Sequence, residues 1–296
     1  MRTKRDIEQE VVAQVIAQLE AGGAPWRKSW TSTGGYCLRE NGVPYRGFNQ
    51  FILSMMGRTN PYWVTYNTAM ELAGGEQLPS GKWVFDPSIG VRKGEKGQGI
   101  SFWGAGKDKQ NDDKAFRFLK WYVVFNAEQI DGLPERFFPQ PAAPVAPVIR
   151  DARVDEYVAE TTADIRHGGA SAYYIPSQDF IQSPPPEDFD DMAAYYGTLL
   201  HELGHWTGHA DRLDRFTPSG VGGAAQEELV AEMSASFLSA HLGIEPTVRE
   251  DHAQYIGSWI THLQDDKTAL RKACAAAQRV VDFLDGLQPK EEEKAA

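Results

Sequence analysis

The residues best suited to chemistry form one short run, His201-Glu202-Leu203-Gly204-His205. Apolar residues recur around it every three or four positions, which predicts a helix with one buried face. On that helix the imidazoles of His201 and His205 would project from the same side, one turn apart, and could bind one ion of the zinc type. Glu202 would lie beside the ion without binding it and could accept a proton from a water molecule there. Two structural histidines on a buried helix are the alternative interpretation.

A catalytic zinc ion normally has three protein ligands, so a third must come from elsewhere in the chain. Glu228 is the preferred ligand, because it lies in a second apolar-striped helix, predicted over residues 224–242, where a buried carboxylate needs a partner. Glu232 follows one turn later and resembles the second acid of gluzincins, which orients a histidine from behind the metal site. Glu232 is also an alternative ligand, and two more follow the histidine helix, Asp211 and His209. A solvated acidic helix face is the interpretation without a metal.

With a metal ion bound there, the predicted reaction is the hydrolysis of a peptide bond. The ion would polarise the scissile carbonyl, and Glu202 would take a proton from water and give it to the leaving amine. Residues 171–175 are predicted to form a strand that could pair with an extended peptide. The candidates for stabilising the oxyanion are Tyr173, Tyr174 and His241.

The first half of the chain has a different composition from the second. Residues 1–138 contain 18 Lys and Arg against 15 Asp and Glu, a net charge of +3, whereas residues 139–296 contain 12 against 26, a net charge of −14. Six of the eight tryptophans precede residue 139. Aromatic rings stack on bases and cations contact the phosphates, so this mixture predicts binding of single-stranded nucleic acid by the first half.

The predicted DNA-binding residues lie in and around the stretches PWRKSW, VPYRGFNQ and VRKGEKGQG. A glycine-rich basic loop lets backbone amides and cations approach phosphates, and the paired tryptophans offer faces for bases. The alternatives are a tryptophan pair that packs on a small core and a glycine loop that is only a solvated turn. The residues are Trp26, Arg27, Lys28, Trp30, Tyr45, Arg46, Asn49, Arg92, Lys93, Lys96 and Trp103.

Short β-branched and aromatic runs predict strands between residues 82 and 126, with a hairpin tip at 105–114. Helical patterns dominate the second half, including an amphipathic helix over 155–169. Residues 139–150 carry four prolines and predict a semi-rigid linker. The expected fold is α+β, with an α+β domain in 1–138, a mostly helical domain with a small sheet in 151–288, and a disordered tail in 289–296.

Composition excludes several classes of protein. No stretch of about 18 apolar residues could span a membrane, and the start of the chain lacks the apolar core of a signal peptide. Two cysteines, Cys37 and Cys274, lie far apart and form no disulfide framework, which suits the reducing cytoplasm of a bacterial cell.

Several motifs together resemble a known family. PWRKSW, NGVPYRGFNQFIL, YWVTYNTAMEL, VRKGEKGQGISFW and VVFNAEQIDGLP resemble the single-stranded-DNA-binding domain of ArdC-type antirestriction proteins, which is related to the N-terminal region of TraC-type plasmid primases. LLHELGHWTGHADRL and QEELVAEMSASFLSAHLGI resemble the zincin-like metallopeptidase domain of polyvalent phage and plasmid proteins. The two resemblances cover nearly the whole chain.

The resemblance implies a protein encoded by a mobile element, such as a conjugative plasmid, that shields incoming single-stranded DNA from host restriction. It also implies one divalent metal ion, Zn²⁺ or alternatively Mn²⁺, on His201, His205 and a downstream glutamate. The strongly acidic second half does not favour DNA, so we expect DNA contacts only in the first half.

Two further hypotheses remain. One is an intracellular metalloprotease that cleaves a host regulator or a restriction subunit, with the first half as a targeting module. The other is an acidic DNA mimic, which ranks last because the acidic residues are spread over several helices and the tail.

Overall fold

The computed structural model describes residues 4–23, 35–84, 86, 88–108, 111–139, 150–216, 223–244 and 253–289, with the backbone alone at 4–7, 103–108, 111–117 and 253–254. Contacts divide these residues into two compact units. The first contains residues 4–7 and 35–139, and the second contains residues 150–289 together with helix α1 (Lys4–Glu20) from Glu8 onwards.

Strands and short helices alternate in the first unit. In chain order it contains α2 (Gly47–Met55), β1 (Trp63–Thr65), α3 (Tyr66–Leu72), β2 (Glu76–Gln77), β3 (Trp83–Val84), β4 (Gly90–Val91), β5 (Gln98–Asp108), β6 (Asn111–Asn126) and β7 (Ile130–Asp131). Its main sheet is antiparallel, with β6 between β1 and β5, while β2 pairs with β3 and β4 with β7. Thr65 caps the start of helix α3, because its side chain accepts a hydrogen bond from the backbone N–H of Thr68.

The β5–β6 hairpin is longer than predicted. Pairing continues from Gln98 opposite Val124 to Lys107 opposite Ala115, so most of the predicted tip at 105–114 is strand. The prediction relied on side-chain pattern, and the charged residues of this stretch do not show the pattern of a strand. Backbone hydrogen bonds hold a hairpin together whether or not its side chains are apolar.

Helix α2 packs on β5 and closes the core of the first unit. One buried cluster contains Leu53 of α2, Trp63 of β1, Ile100 of β5 and Val124 of β6. A second cluster surrounds Phe137, which is fully buried. Burying a large apolar side chain contributes roughly 1.5–3 kcal/mol. The two clusters stabilise the sheet from opposite faces, because the consecutive residues Trp63 and Val64 of β1 belong to one cluster each.

Helices dominate the second unit. After α1 it contains α4 (Ala152–Ala159), β8 (Asp164–His167), β9 (Tyr173–Ile175), β10 (Phe180–Ser183), α5 (Met192–Trp206), α6 (Ala224–Leu242), α7 (Ala253–Asp265) and α8 (Ala269–Gly286). In the small sheet β10 lies in the middle, parallel to β8 and antiparallel to β9. Helix α6 packs against both α5 and α8, and β9 and β10 pack against α5. The two units together confirm the α+β class.

The predicted helix over 155–169 is wrong in its second half, because α4 ends at Ala159 and β8 follows. The Thr161 hydroxyl donates to the backbone carbonyl of Val158 at 2.6 Å, and Thr162 adopts a φ of 57°. A hydroxyl that bonds the preceding turn and a left-handed residue both end a helix. Strand β8 then begins at Asp164.

Helix α1 belongs to the second unit by its contacts, whereas the sequence counted it with residues 1–138. Its apolar face is buried at Val11, Val15 and Leu19, and the Glu8 carboxylate accepts a hydrogen bond of 2.7 Å from Arg271 of α8. Residues 140–149 of the predicted linker and 290–296 of the predicted tail lie outside the described residues. Every helix in the described ranges is too short or too polar to cross a bilayer.

Candidate metal centre and nucleic-acid interface

Helix α5 presents both histidines of the predicted metal site on one side. The helix is capped at its start, where the Asp191 side chain accepts a hydrogen bond of 2.7 Å from the backbone N–H of Ala194. His201 and His205 follow one turn apart, with their Nε2 atoms separated by 3.2 Å. His201 is buried and His205 is half-buried, so both rings are held in the interior.

Helix α6 brings Glu228 to the same place. Its Oε2 lies 3.6 Å from Nε2 of His201, and its Oε1 lies 3.6 Å from Nε2 of His205. The ligand atoms of the three residues all lie within 4.8 Å of one another. Ligands at about 2.1 Å from a tetrahedral ion are about 3.4 Å apart, so these distances fit one shared ion. Two imidazoles and one carboxylate are also the protein ligands of many catalytic zinc sites.

A glycine allows the two helices to approach this closely. A Cβ atom on Gly204 would lie 3.2 Å from Cα of Ala231 and 3.3 Å from Cβ of Ser234. Helices α5 and α6 therefore meet almost backbone to backbone at the residue that precedes His205. This contact sets the separation at which Glu228 faces the imidazoles.

Each histidine is backed by a further carboxylate of α6. Oε1 of Glu232 lies 3.1 Å from Nδ1 of His201, as the sequence suggested for the second acid. Oε1 of Glu227 lies 3.3 Å from Nδ1 of His205. Carboxylates behind metal-binding histidines fix the ring orientation and leave Nε2 as the metal-binding atom.

The sequence reading missed Glu227. Although burial raises its pKa, hydrogen bonds with His205 and Arg215 outweigh that effect and hold the pKa below its ordinary value. The Arg215 guanidinium donates to both carboxylate oxygens, at 2.8 and 3.1 Å. The sequence did carry one signal for a separate role of Glu227. Adjacent residues on a helix point about 100° apart, so Glu227 cannot face in the same direction as Glu228.

The other residues predicted around the metal site are Glu202, Asp211 and His209. Glu202 follows His201 on α5 and is buried. Asp211 is 86% exposed and its carboxylate lies 3.5 Å from Nδ1 of His209. In the described part of the chain, the group of ligand atoms includes neither Asp211 nor His209.

The oxyanion candidates have other contacts. The Tyr174 hydroxyl donates to Asp179 at 2.7 Å and accepts a hydrogen bond from Arg212 at 3.1 Å. Nε2 of His241 lies 3.1 Å from the Asp285 carboxylate. Tyr173 is exposed on β9, at the edge of its sheet.

Five of the predicted DNA-binding residues cannot be placed. Trp26, Arg27, Lys28 and Trp30 lie outside the described residues, and Trp103 is described by its backbone in β5 alone. Three others, Arg46, Lys93 and Lys96, are exposed as the prediction requires.

Tyr45 and Asn49 are not exposed and make contacts within the first unit. Tyr45 is buried in the main core, where its hydroxyl donates to the backbone carbonyl of Trp63 at 2.9 Å. The Asn49 amide exchanges hydrogen bonds of 2.6 and 2.9 Å with the backbone of Ser101, and so ties α2 to β5. A ring inside the core cannot stack on a base, so the prediction for Tyr45 is wrong in this structure.

Arg92 is exposed but already engaged by acids. Its guanidinium lies 3.0 Å from Asp131 and 3.1 Å from Glu95, and it also donates to the backbone carbonyl of Glu128. Its positive charge is therefore partly neutralised within the unit, which weakens it as a phosphate contact.

One face of the β5–β6 hairpin carries aromatic residues that the sequence reading did not select. We call Phe102, Phe118, Lys120 and Tyr122 the aromatic face; the first lies on β5 and the rest alternate along β6. Phe102 is 49% and Tyr122 41% exposed, with ring centroids 6.1 Å apart. The Lys120 ammonium lies 5.0 Å from the centroid of Phe118. Exposed aromatic rings and a positive charge therefore adjoin on this face of the hairpin.

Comparisons with known proteins cover both units. Residues 5–125 match the family of the N-terminal domain of anti-restriction factor ArdC, and residues 152–277 match a zincin-like metallopeptidase family. The metal-free crystal structure of the antirestriction protein ArdC from plasmid R388 is 40% identical, with a TM-score of 0.78 over 95% of this chain and 97% of that one. The Mn(II)-bound structure of ArdC is 39% identical, with a TM-score of 0.75 over 95% of this chain and 98% of that one.

Relatives known from sequence extend this picture. Protein y4eC of Sinorhizobium fredii is 33% identical over 97% of this chain and 94% of its own length. The DNA primase TraC of Escherichia coli is 35% identical over 97% of this chain, which spans only 28% of that primase. The zincin-like family and the Mn(II)-bound relative support a divalent metal ion in this fold. With whole-length similarity to ArdC and a match to its N-terminal domain, this chain belongs to the ArdC family of antirestriction proteins.

Proposed function

We propose that this protein binds single-stranded DNA through its first unit and thereby protects the incoming DNA of a mobile element from restriction in the host cell. The observation that carries the proposal is the aromatic face. Its exposed rings can stack on bases of any sequence, and Lys120 beside them can contact a phosphate. The match to the ArdC family and the similarity to TraC, which is named as a DNA primase, support the same assignment.

Binding to a labelled single-stranded oligonucleotide, measured by fluorescence anisotropy at one low salt concentration, tests the proposal. Stacking on an aromatic ring contributes about 1–3 kcal/mol per base, so the double variant Phe102→Ala, Tyr122→Ala should bind at least about tenfold more weakly. Tyr173→Ala removes an exposed ring of the second unit and serves as the control. Wild-type affinity in a folded double variant would refute the assignment of this face.

A second candidate function is hydrolysis of a peptide, supported by the cluster of His201, His205 and Glu228 with Glu202 beside it. We propose these three as the ligands of one Zn²⁺ or Mn²⁺ ion, which when bound would polarise the scissile carbonyl. The carboxylate of Glu202 would accept the proton of the attacking water and pass it to the leaving amine. Glu227 and Glu232 would hold the imidazoles in place.

Metal analysis of the purified protein beside His201→Ala and Glu228→Ala tests the ligands, since each variant should lose the ion. Glu202→Gln then separates the two functions, because it keeps the ligands and removes the base. If peptide hydrolysis protects DNA, this variant should retain its metal and fail to protect in cells. Full protection by Glu202→Gln would leave single-strand binding as the protective activity.

A further inference from the structure

We infer that Arg215 is a positioning residue of the metal centre, acting through Glu227 on His205. The inference rests on the proposed metal site. Arg215 lies nine residues after the end of α5. In the described part of the chain, its side-chain hydrogen bonds go to residues other than the three proposed ligands. Its connection to the centre is a continuous chain of hydrogen bonds.

The Arg215 guanidinium is buried, with a side chain only 4% exposed, and its donors are directed at several partners. Nη2 and Nε donate to the two carboxylate oxygens of Glu227, Nη2 also donates to the backbone carbonyl of Gly204 at 2.5 Å, and Nη1 donates to the Thr207 hydroxyl at 2.8 Å. A buried guanidinium is unfavourable unless it is paired in this manner. Arg215 therefore joins the end of α5 to the first turn of α6.

Glu227 continues the chain to the metal site. The carboxylate oxygen that accepts from Nη2 of Arg215 also lies 3.3 Å from Nδ1 of His205. A carboxylate accepts only, so this contact keeps the ring hydrogen of His205 on Nδ1 and leaves the Nε2 lone pair directed at the proposed ion. Arg215 holds the carboxylate by two bonds, so Glu227 has little freedom to turn away.

The backbone between Thr207 and Arg215 has a shape that supports this role. Leu213 donates to the carbonyl of Thr207 and Arg215 to that of Gly208, both at 2.9 Å, while Asp214 adopts a φ of 48°. The segment thus folds back on the C-terminal end of α5 and returns Arg215 to the helix that carries the histidines.

The test compares Arg215→Met with Arg212→Met in the full-length protein. Arg212 is a matched control, since it lies in the same segment and pairs with Asp179 and the Trp206 carbonyl, away from Glu227. Zn²⁺ affinity is measured by competition with a chelator, and folding by circular dichroism. We expect Arg215→Met to weaken Zn²⁺ binding about 10–100-fold, as loss of a residue behind a ligand does, and Arg212→Met to change it less than about threefold.

Two outcomes would overturn the inference: wild-type Zn²⁺ affinity in folded Arg215→Met, or an equal loss in both variants. If Arg215→Met does not fold, Glu227→Gln decides, because it preserves the size of the side chain and should also weaken binding. Nitrogen-15 NMR of the histidine rings adds a readout of position. We expect the ring hydrogen of His205 on Nδ1 in the wild type and divided between Nδ1 and Nε2 in the variants. A wild type that binds no Zn²⁺ would instead refute the proposed metal site.

Discussion

Three glutamates of α6 have three different environments, although two of them are adjacent in sequence. Glu228 faces the Nε2 atoms of both histidines, whereas Glu227 and Glu232 face the Nδ1 atoms behind them. Adjacent side chains on a helix point about 100° apart, so Glu227 and Glu228 approach His205 from different sides. Glu232 lies on nearly the same side of α6 as Glu228 but one turn later, where it faces the other nitrogen of His201. A single acidic helix can therefore supply both a candidate ligand and the carboxylates that orient its neighbours.

Another histidine of α6 makes the stability of the protein depend on pH. Asp285 of α8 accepts a hydrogen bond from His241 and raises the pKa of that imidazole above its ordinary value of 6.5. A raised pKa means that the pair stabilises the fold fully below pH 6.5, and that this contribution is lost as the pH rises through the raised value. The ring of Tyr157 of α4 lies 6.0 Å from the imidazole between centroids, tilted by 57°, and its hydroxyl also donates to Asp285.

We therefore expect His241→Gln to lower the free energy of unfolding at pH 5.5 by up to about 1 kcal/mol, the limit for a partly exposed pair, and to have less effect at pH 9. Urea unfolding at the two pH values measures the difference. Tyr157→Phe removes a hydrogen bond to the same carboxylate but keeps the imidazole, so the dependence of stability on pH should persist in this variant. A loss from His241→Gln that did not vary with pH would contradict the linkage.

At the scale of elements, the packing of α5 on α6 decides whether the candidate ligands meet. A methyl group at Gly204 must displace the backbone of α6 by a few tenths of an ångström, because its nearest neighbours are Cα of Ala231 and Cβ of Ser234. We expect Gly204→Ala to cost about 1–3 kcal/mol through overpacking, offset by up to about 1 kcal/mol of helix propensity. Its metal affinity should fall as well, since Glu228 moves with α6.

Gly257→Ala is the control for helix propensity, because Gly257 lies in α7 and no atom of the described residues lies within 4 Å of its Cβ position. This variant should stabilise the protein by about 0.5–1 kcal/mol and leave metal affinity unchanged. Thermal unfolding and chelator competition of the two variants provide the comparison. Equal metal affinity in Gly204→Ala and the wild type would show that the contact is less restrictive than its distances imply.

The sequence predicted long periodic helices well and isolated side chains less well. Helix α6 has the predicted bounds, 224–242, because nineteen residues give the apolar pattern several turns in which to repeat. Tyr45 was misassigned because its burial depends on Trp63, eighteen residues away, which residue type alone does not reveal. The aromatic face was missed because residues 116–126 are aromatic or apolar on both alternating sides, so a period of two does not tell which side faces solvent. Glu227 was missed because its role depends on Arg215, which arrives from a separate segment.

At the scale of the whole molecule, the two proposed activities use different parts of the chain. The candidate ligands all come from α5 and α6 in the second unit, and the aromatic face lies entirely on the hairpin of the first. Net charge is divided in the same way, with −14 in residues 139–296 and +3 in residues 1–138. An acidic region repels phosphates, so we expect the proposed binding of DNA to come from the first unit, with stacking on the aromatic face as its proposed source.

This division predicts separate responses to metal removal. An ion present at 100 times its dissociation constant stabilises the folded state by about 2.7 kcal/mol, which for a unit of this size corresponds to about 5–10 °C in Tm. Treatment with a chelator should therefore lower the Tm of the wild type by that amount and leave Glu228→Ala unchanged, because the variant lacks a ligand. Affinity for a single-stranded oligonucleotide should stay within about twofold in both proteins, since no residue of the aromatic face binds the ion. A loss of DNA binding on metal removal would mean that the metal centre controls the first unit, and the two activities would then have to be treated as one.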